Sequence, residues 1–145
     1  MALNRFRIAV AILILFNAVG TVVSWAAHLS KPGTSAANAI VGGTEFTAPI
    51  VFIALWIGFV AMTSMTGRIA TIALWLMTLF AAVFAFGAIT ELFKKNIGVT
   101  TGKWHFIIGA DIVSLAIALA VAVLGIATIA RSHQVSTSSA LPASG

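Results

Sequence analysis

Four long apolar stretches make up most of this chain and restrict the kind of protein that it can form. They run over residues 8–27, 48–65, 69–89 and 106–130, and Asp111 is the one formal charge that they contain. Each is about long enough to cross a hydrocarbon core of about 30 Å, at about 1.5 Å of rise per helical residue. Because 61% of the residues are hydrophobic, the polar surface is too small to cover the apolar mass in water. The sequence therefore predicts an integral membrane protein.

The predicted spans are helices rather than strands. A backbone in lipid must satisfy its own hydrogen bonds, which only helices and closed barrels achieve, and barrel strands would alternate apolar and polar residues. We expect one all-α domain over residues 1–131, an antiparallel up-down-up-down bundle of four transmembrane helices. Residues 132–145 are rich in Ser and Ala and have no apolar periodicity, so we expect a flexible cytoplasmic tail there.

The number of basic residues alone does not decide the orientation, because it is equal on the two sides of the membrane. With the N-terminus in the cytoplasm, four basic residues lie on each side, and these are Arg5, Arg7, Arg68 and Arg131 inside and Lys31, Lys94, Lys95 and Lys103 outside. The N-terminal arginines adjoin the first helix, which usually dominates the orientation, whereas the outer lysines share their loops with Glu45 and Glu91. We expect both termini on the cytoplasmic side of the plasma membrane.

The composition excludes several classes of function. The chain has no cysteine, which rules out a disulfide, a thiol redox pair, an iron–sulfur cluster and a thiolate zinc site. Its net charge of +5 comes from basic residues spread over both predicted membrane faces, so it indicates topology and contacts with anionic lipid rather than nucleic-acid binding. The expected partners are the lipid bilayer and either other membrane subunits or further copies of this chain.

A polar stripe along the first span and a single acid in the fourth predict a polar site within the membrane. Asn17, Ser24 and His28 share one face of the first helix with small residues. Asp111 follows Trp104 by seven residues, which places it roughly 10 Å below the headgroup level. Acids at such depth face the bundle interior, have a partner and usually mark function. The alternative, which we favour, is that Asp111 is protonated or hydrogen-bonded to Asn17, Ser24 or Lys103 and only fixes the packing of the first and fourth helices.

Other charged and small residues complete the predicted site and its surroundings. Glu45, Glu91 and Lys103 are expected at the outer mouth of the bundle. Small residues let helices approach closely within membranes, and we expect five of them at helix contacts, namely Gly20, Gly58, Ala118, Ala122 and Gly125.

Histidines are the weak candidates for binding a cofactor. His28 and His105 come from different helices on the same predicted side of the membrane, so they could serve as axial ligands of haem. Both lie at the membrane boundary, however, which is the ordinary position of an interfacial polar residue. His105 and Asp111 are six residues apart and so point about 240° apart around a helix. We therefore expect neither a metal nor a cofactor.

Three classes of function remain open. The preferred one is a non-catalytic accessory or structural subunit of a larger membrane complex, because intramembrane charge is scarce and the loops are too small for an active site. The second is a small oligomeric carrier or channel for a cation or proton that uses Asp111 and His28. The third is a membrane anchor that binds haem or quinone. No residue pattern in the chain indicates a catalytic nucleophile.

Overall fold

The computed structural model describes residues 2–28, 35–44, 47–93 and 104–138. Five helices form within these ranges, and they are α1 Ala2–Ala26, α2 Ala36–Gly42, α3 Ile50–Met62, α4 Arg68–Phe93 and α5 Trp104–Ser138. The described ranges contain no strand beyond one isolated bridge between Thr44 and Thr47. The prediction of an all-helical chain is confirmed for this part of the sequence.

Three of the described helices are long and apolar enough to cross a membrane, by length and composition. These are α1, α4 and the part of α5 between His105 and Ser132. The prediction of a membrane protein is supported at this level, because helices of this kind are stable when their apolar side chains contact lipid.

The second predicted span, residues 48–65, is longer than the helix that the structure forms there. It is helical only over α3, which has 13 residues and is therefore about 20 Å long. Pro49 precedes the helix and its fixed φ sets the start. At the other end the chain turns through residues 63–67, and Gly67 adopts a φ of 69°, a left-handed conformation that favours glycine and ends helical geometry.

The last helix is longer than its predicted span. Residues 132–138, which we predicted as part of a flexible tail, continue α5 as helix. The reason is local, because neither glycine nor proline interrupts the chain between Gly125 and Pro142. Residues 139–145 of the predicted tail lie outside the described residues.

The four longer helices pack as a ring of neighbours. Helix α5 packs against α4 and α1, and α3 also packs against α4 and α1, while the short α2 lies against α1 and α3. Across the described residues, α3 and α5 lie on a diagonal of the ring without close backbone approach. The ring therefore leaves space between α3, α4 and α5.

The core lies inside this ring and the outward faces are apolar as well. Buried side chains come from every long helix, the largest being Trp56, Phe6, Leu13, Met77 and Ile107. Large apolar side chains such as Leu15, Leu79 and Val123 are exposed on the outer faces. Helices that are apolar all round suit a lipid environment rather than water.

Candidate functional site

Buried polar side chains of α1 bond to the segment that leads into α3. Asn17 is fully buried, and its side-chain Nδ2 donates to the carbonyl oxygen of Leu13 at 2.9 Å. Its Oδ1 accepts a hydrogen bond of 2.8 Å from the backbone N–H of Ala48. Since Ala48 lies just before α3, this bond ties the middle of α1 to the beginning of α3.

A threonine cluster, formed by Thr21, Thr44 and Thr47, lies next to this contact. Thr21 Oγ1 is 2.9 Å from the carbonyl oxygen of Asn17 and 3.0 Å from Thr47 Oγ1. Thr47 Oγ1 also accepts from the backbone N–H of Thr44 at 3.1 Å and lies 2.6 Å from the Thr44 hydroxyl oxygen. The cluster satisfies the polar groups of the turn before α3, so its role is structural.

Arginine makes the corresponding contact at the other end of α3. Arg7 donates from Nε to Thr63 Oγ1 at 3.0 Å and from its terminal nitrogen to the Thr63 carbonyl oxygen at 2.6 Å. Carbonyl groups at the end of a helix have no partner within the helix, and a cation there also complements the helix dipole. Helix α1 therefore holds both ends of α3.

A pocket of about 280 Å³ occupies the space between α3, α4 and α5. One face of α4 forms its longest wall, with residues at helical steps of three and one, namely Phe80, Val83, Phe84, Gly87, Ala88 and Glu91. This wall is about 16 Å long, from the level of Phe80 to the level of Glu91. Thr44, Thr47 and Pro49 line the same pocket before α3 begins.

Aromatic rings make up the wall between α3 and α4. Phe52 and Trp56 lie one turn apart on α3 and both line the pocket. The Trp56 ring meets Phe84 edge to face, with centroids 5.2 Å apart and planes at 83°. Phe52 and Phe80 are 6.1 Å apart at 57°. Edge-to-face and tilted pairs of this kind are the favoured aromatic geometries, so the wall is well packed.

Helix α5 and the Trp56 indole contribute buried polar groups. Asp111 and Ser114 lie one turn apart on α5, line the pocket and are 2% and 1% exposed. Trp56 is 1% exposed, and its Nε1–H has no hydrogen-bond partner among the described residues, nor has Ser114 Oγ. Buried polar groups without a partner are rare, since each costs about 1–3 kcal/mol. A molecule in the pocket would remove that cost.

Acidic side chains are among the described residues that line the pocket. Asp111 and Glu91, two of the three acidic residues of a chain with net charge +5, line it. None of the described residues that line it is basic. The third acid, Glu45, falls in the sequence between Thr44 and Thr47 and lies outside the described residues.

Two members of the predicted polar site, Asp111 and Asn17, have different described surroundings. Asp111 lines the pocket, whereas Asn17 belongs to the contact between α1 and α3. Ser24 is buried on α1, and His28 is exposed just beyond the helix with a φ of 53°. His28 is not among the described residues that line the pocket with Asp111.

The remaining predicted site residues divide in the same way. Glu91 lines the pocket, and His105 is exposed near the beginning of α5. Lys103, together with the predicted outer lysines Lys31, Lys94 and Lys95, lies outside the described residues. Within the described part of the chain, no three His, Asp or Glu residues come together as a possible metal site.

Four of the five predicted packing residues are buried. They are Gly20, Ala118, Ala122 and Gly125. Gly58 is exposed, and a Cβ added there would meet nothing within 4 Å. The reason is that Trp56 takes the inward position on α3, and a residue two places later points about 200° away around the helix.

Several pocket residues were missed by the sequence reasoning. Trp56, Phe80, Phe84 and Thr47 line the pocket and are not among the predicted site residues. The available signal was the spacing, since aromatic residues lie four apart on α3 and four apart on α4. Such spacing puts each pair on one helix face, but it does not say that the two faces meet.

The comparisons with known proteins leave the fold and the pocket as the sources of inference. No family model, curated protein or solved structure matches this chain.

Proposed function

We propose that this chain is a four-crossing integral membrane protein that binds a small amphiphilic molecule between α3, α4 and α5 without catalysing its conversion. In this proposal it is an accessory subunit of a larger assembly in the plasma membrane. The observation that carries the proposal is the pair of buried polar groups, Trp56 Nε1–H and Ser114 Oγ, that border the pocket without a partner in the described chain. An apolar pocket with a few convergent polar groups is the usual form of a small-molecule site.

The contacts between α1 and α3 support the four-crossing part of the proposal. Asn17 reaches the beginning of α3 and Arg7 reaches its end. These two residues are ten positions apart along α1, a separation of about 15 Å. Helix α3 thus lies alongside α1 over this length, which supports a second crossing beside α1. In this arrangement both termini face the cytoplasm, and the pocket opens on the outer side, where Glu91 lies.

Binding accounts for the pocket better than transport through it. The acids Glu91 and Asp111 belong to the end of the pocket near the α4–α5 connection, while Phe80 and Trp56 line its deeper part. A path for an ion would need polar groups beyond that aromatic wall. The carrier alternative also relied on joint action of Asp111 and His28, and His28 is exposed at the end of α1.

The accessory-subunit part extends the prediction made from the sequence. Support for it comes from an apolar hollow of about 420 Å³ on the outer side of α1 and α5, lined by Ile12, Leu15, Phe16, Val19, Gly20, Val23, Phe106 and Ala110. In the membrane, a helix of a larger subunit would pack into this hollow through van der Waals contact.

Gly87 allows a direct test of the pocket. It lines the pocket, and a Cβ added there would meet nothing within 4 Å, so Gly87→Leu should fill the pocket without disturbing the packing. Gly58→Leu is the matched control, because Gly58 is an exposed glycine in the interior of α3 that also has open space around it. The variants and the original chain would be purified in mild detergent and their bound small molecules and proteins identified by native mass spectrometry.

The outcomes separate the two parts of the proposal. We expect a stoichiometric small molecule with the original chain and with Gly58→Leu, and its loss with Gly87→Leu. Equal occupancy in all three proteins, or no small molecule in any, would contradict the binding role. Stoichiometric larger membrane proteins in the same preparations would support the subunit role, and a preparation that contains this chain alone would contradict it.

A further inference from the structure

We infer that the molecule bound in the pocket between α3, α4 and α5 is an uncharged aromatic compound that presents a carbonyl oxygen. This inference rests on the proposed binding function and adds the chemical class of the ligand. It follows from two buried polar groups on different helices and from the rings that line the same pocket.

The Trp56 indole provides the first argument. Trp56 is 1% exposed and lines the pocket from α3, whereas Trp25 and Trp75 are 44% and 52% exposed. Its Nε1–H is buried and has no hydrogen-bond partner within the described chain. An indole N–H can donate but cannot accept. A ligand that satisfies this group must therefore carry a hydrogen-bond acceptor.

The Ser114 hydroxyl provides the second argument, because it departs from the usual behaviour of a hydroxyl in an apolar helix. Thr21, Thr78 and Thr128 each donate to the backbone carbonyl oxygen four residues earlier, at 2.9, 2.7 and 2.7 Å. Ser114 is 1% exposed on α5, yet its Oγ lacks a partner in the part of the chain that the structure describes. Its hydroxyl is therefore available to a molecule in the pocket that Ser114 lines.

The two groups belong to helices on a diagonal of the ring. Helices α3 and α5 make no close backbone approach within the described ranges, and the pocket that Trp56 and Ser114 both line occupies the space between these helices and α4. A carbonyl oxygen has two lone pairs and no hydrogen, so it can accept from both donors and brings no donor that needs a further partner. One uncharged group can thus satisfy both sides of the pocket.

The aromatic wall indicates the body of the ligand. Four rings line the pocket, those of Phe52, Trp56, Phe80 and Phe84, and the tilted and edge-to-face pairs among them leave further ring surface for an aromatic guest. The pocket volume of about 280 Å³ is close to the lower end of the range for small-molecule sites, about 300–1,000 Å³. This size favours a compact ring system over a long flexible chain.

The same features disfavour other classes of ligand. A hydrocarbon would pack against the rings but would leave the Trp56 N–H and the Ser114 hydroxyl without a partner. An ammonium group has no lone pair, so it cannot accept from the indole. An anion can accept, but an ionised group costs far more than a neutral carbonyl to transfer from water into an apolar site.

A matched pair of probes isolates the effect of the carbonyl oxygen. Benzophenone and 1,1-diphenylethene have nearly the same shape, and a methylene group in the second replaces the oxygen of the first. Binding of each to the full chain in a non-ionic detergent would be measured by saturation-transfer NMR, with corrections for partition into detergent. We expect benzophenone to bind saturably and at least about tenfold more tightly than the hydrocarbon, equivalent to about 1.4 kcal/mol.

Substitutions assign this preference to the two donors. Trp56→Phe removes the N–H and keeps an aromatic ring, and Ser114→Ala removes the hydroxyl. We expect each to reduce the preference for benzophenone over the hydrocarbon several-fold. Trp75→Phe is the matched control, because Trp75 is exposed and is not among the described residues that line the pocket, so the preference should not change.

Ser114→Ala also guards against a loss of folding. The hydroxyl has no partner to lose in the described chain, so the ligand-free variant should melt no lower than the original chain while its preference for benzophenone falls. If Trp56→Phe fails to fold by its melting profile, Ser114→Ala gives the same comparison by itself. Gly87→Leu should abolish binding of both probes, and Gly58→Leu should change neither.

The stretching frequency of the bound carbonyl reports the hydrogen bond directly. Donation to a carbonyl oxygen weakens its C=O bond and lowers this frequency. The difference between infrared spectra of isotope-labelled and unlabelled benzophenone separates the band from the amide bands of the protein. We expect the frequency to rise in Trp56→Phe and in Ser114→Ala relative to the original chain, and to stay the same in Trp75→Phe.

The results distinguish failure of this inference from failure of the binding role. Equal affinity for the two probes, both lost in Gly87→Leu, would overturn the carbonyl compound and leave the pocket as a binding site. A carbonyl frequency that is unchanged in both Trp56→Phe and Ser114→Ala would overturn it as well. Absence of saturable binding by benzophenone would also overturn it, while the binding role would still be decided by the native mass spectra.

Discussion

Asn17 Oδ1 accepts a hydrogen bond of 2.8 Å from the backbone N–H of Ala48, across 31 residues of sequence. The bond provides an acceptor for a buried backbone donor. Pro49 has no N–H, so the N–H of Ala48 is the last backbone donor before α3, and it is buried where water cannot reach it. A single amide side chain on α1 thus satisfies the backbone at the beginning of α3.

Replacing Asn17 should lower the free energy of unfolding. Asn17→Leu leaves the Ala48 N–H without a partner, and we expect a loss of about 1–3 kcal/mol in the free energy of unfolding. Thermal unfolding in detergent would measure it. The control is Leu15→Ala, which changes an exposed side chain on the same helix and should shift the melting temperature little. Equal melting of the two variants would mean that the bond contributes no stability.

Arg7 should matter for stability where Arg5 does not. Arg7→Gln removes two hydrogen bonds to Thr63 at the end of α3, so we expect a loss of about 1.5–3 kcal/mol, the usual range for hydrogen bonds to charged groups. Arg5→Gln removes the same charge from an exposed position two residues away, which controls for the effect of charge on topology. Melting curves of the two variants should therefore differ, and identical curves would contradict a structural role for Arg7.

Composition and periodicity were sufficient to predict the apolar helices and the inward face of α1. Apolar length alone indicated the three long helices, because the bilayer sets a minimum span. Asn17 and Ser24 were predicted to share a face, and both are buried. Both predictions depend only on distances along a single helix, which the sequence determines directly.

The pocket could not be predicted because it depends on how separate helices are rotated toward each other. The small residues of α3 suggested that Gly58 faces a neighbour, yet the larger Trp56 points inward and Gly58 is exposed. Inside lipid both faces of such a helix are apolar, so burial of apolar surface does not fix its rotation. Contacts between α3, α1 and α4 fix it instead, and they bring Trp56 against Phe84.

Gly125 should be less replaceable than Gly109, the other glycine of α5. A Cβ added there would lie 3.0 Å from Thr78 Cβ and Cγ2 and closer still to its Oγ1, so α4 and α5 would have to separate. We expect Gly125→Ala to cost about 1–3 kcal/mol, typical of overpacking. Gly58→Ala has open space and should melt like the original chain.

The clash predicts coupling between Gly125 and Thr78. Thr78→Ala removes the hydroxyl and the methyl group that a new Cβ would meet, so it should recover part of the stability lost in Gly125→Ala. A double-mutant cycle on melting free energies would give the coupling. Strictly additive effects would show that the two residues do not constrain each other.

The four-crossing proposal depends on the prediction that α3 crosses the membrane. The chain has no cysteine, so single cysteines can be introduced without removing others. Val41 on α2 and Met65 in the turn after α3 are 66% and 55% exposed, and they lie on either side of α3 in the sequence. If α3 crosses the bilayer, a membrane-impermeant maleimide added to intact cells should label Val41→Cys and should reach Met65→Cys only after permeabilisation.

A third cysteine fixes the absolute orientation. Asn4→Cys, exposed near the beginning of α1, should behave like Met65→Cys, because the chain crosses twice between the two positions in the proposed topology. If Val41→Cys and Met65→Cys are labelled from the same side, α3 enters the membrane without crossing it. In that case the 13-residue helix, about 10 Å shorter than a hydrocarbon core of about 30 Å, would be a half-span held against α1 by Asn17 and Arg7, and the chain would cross three times with its termini on opposite sides.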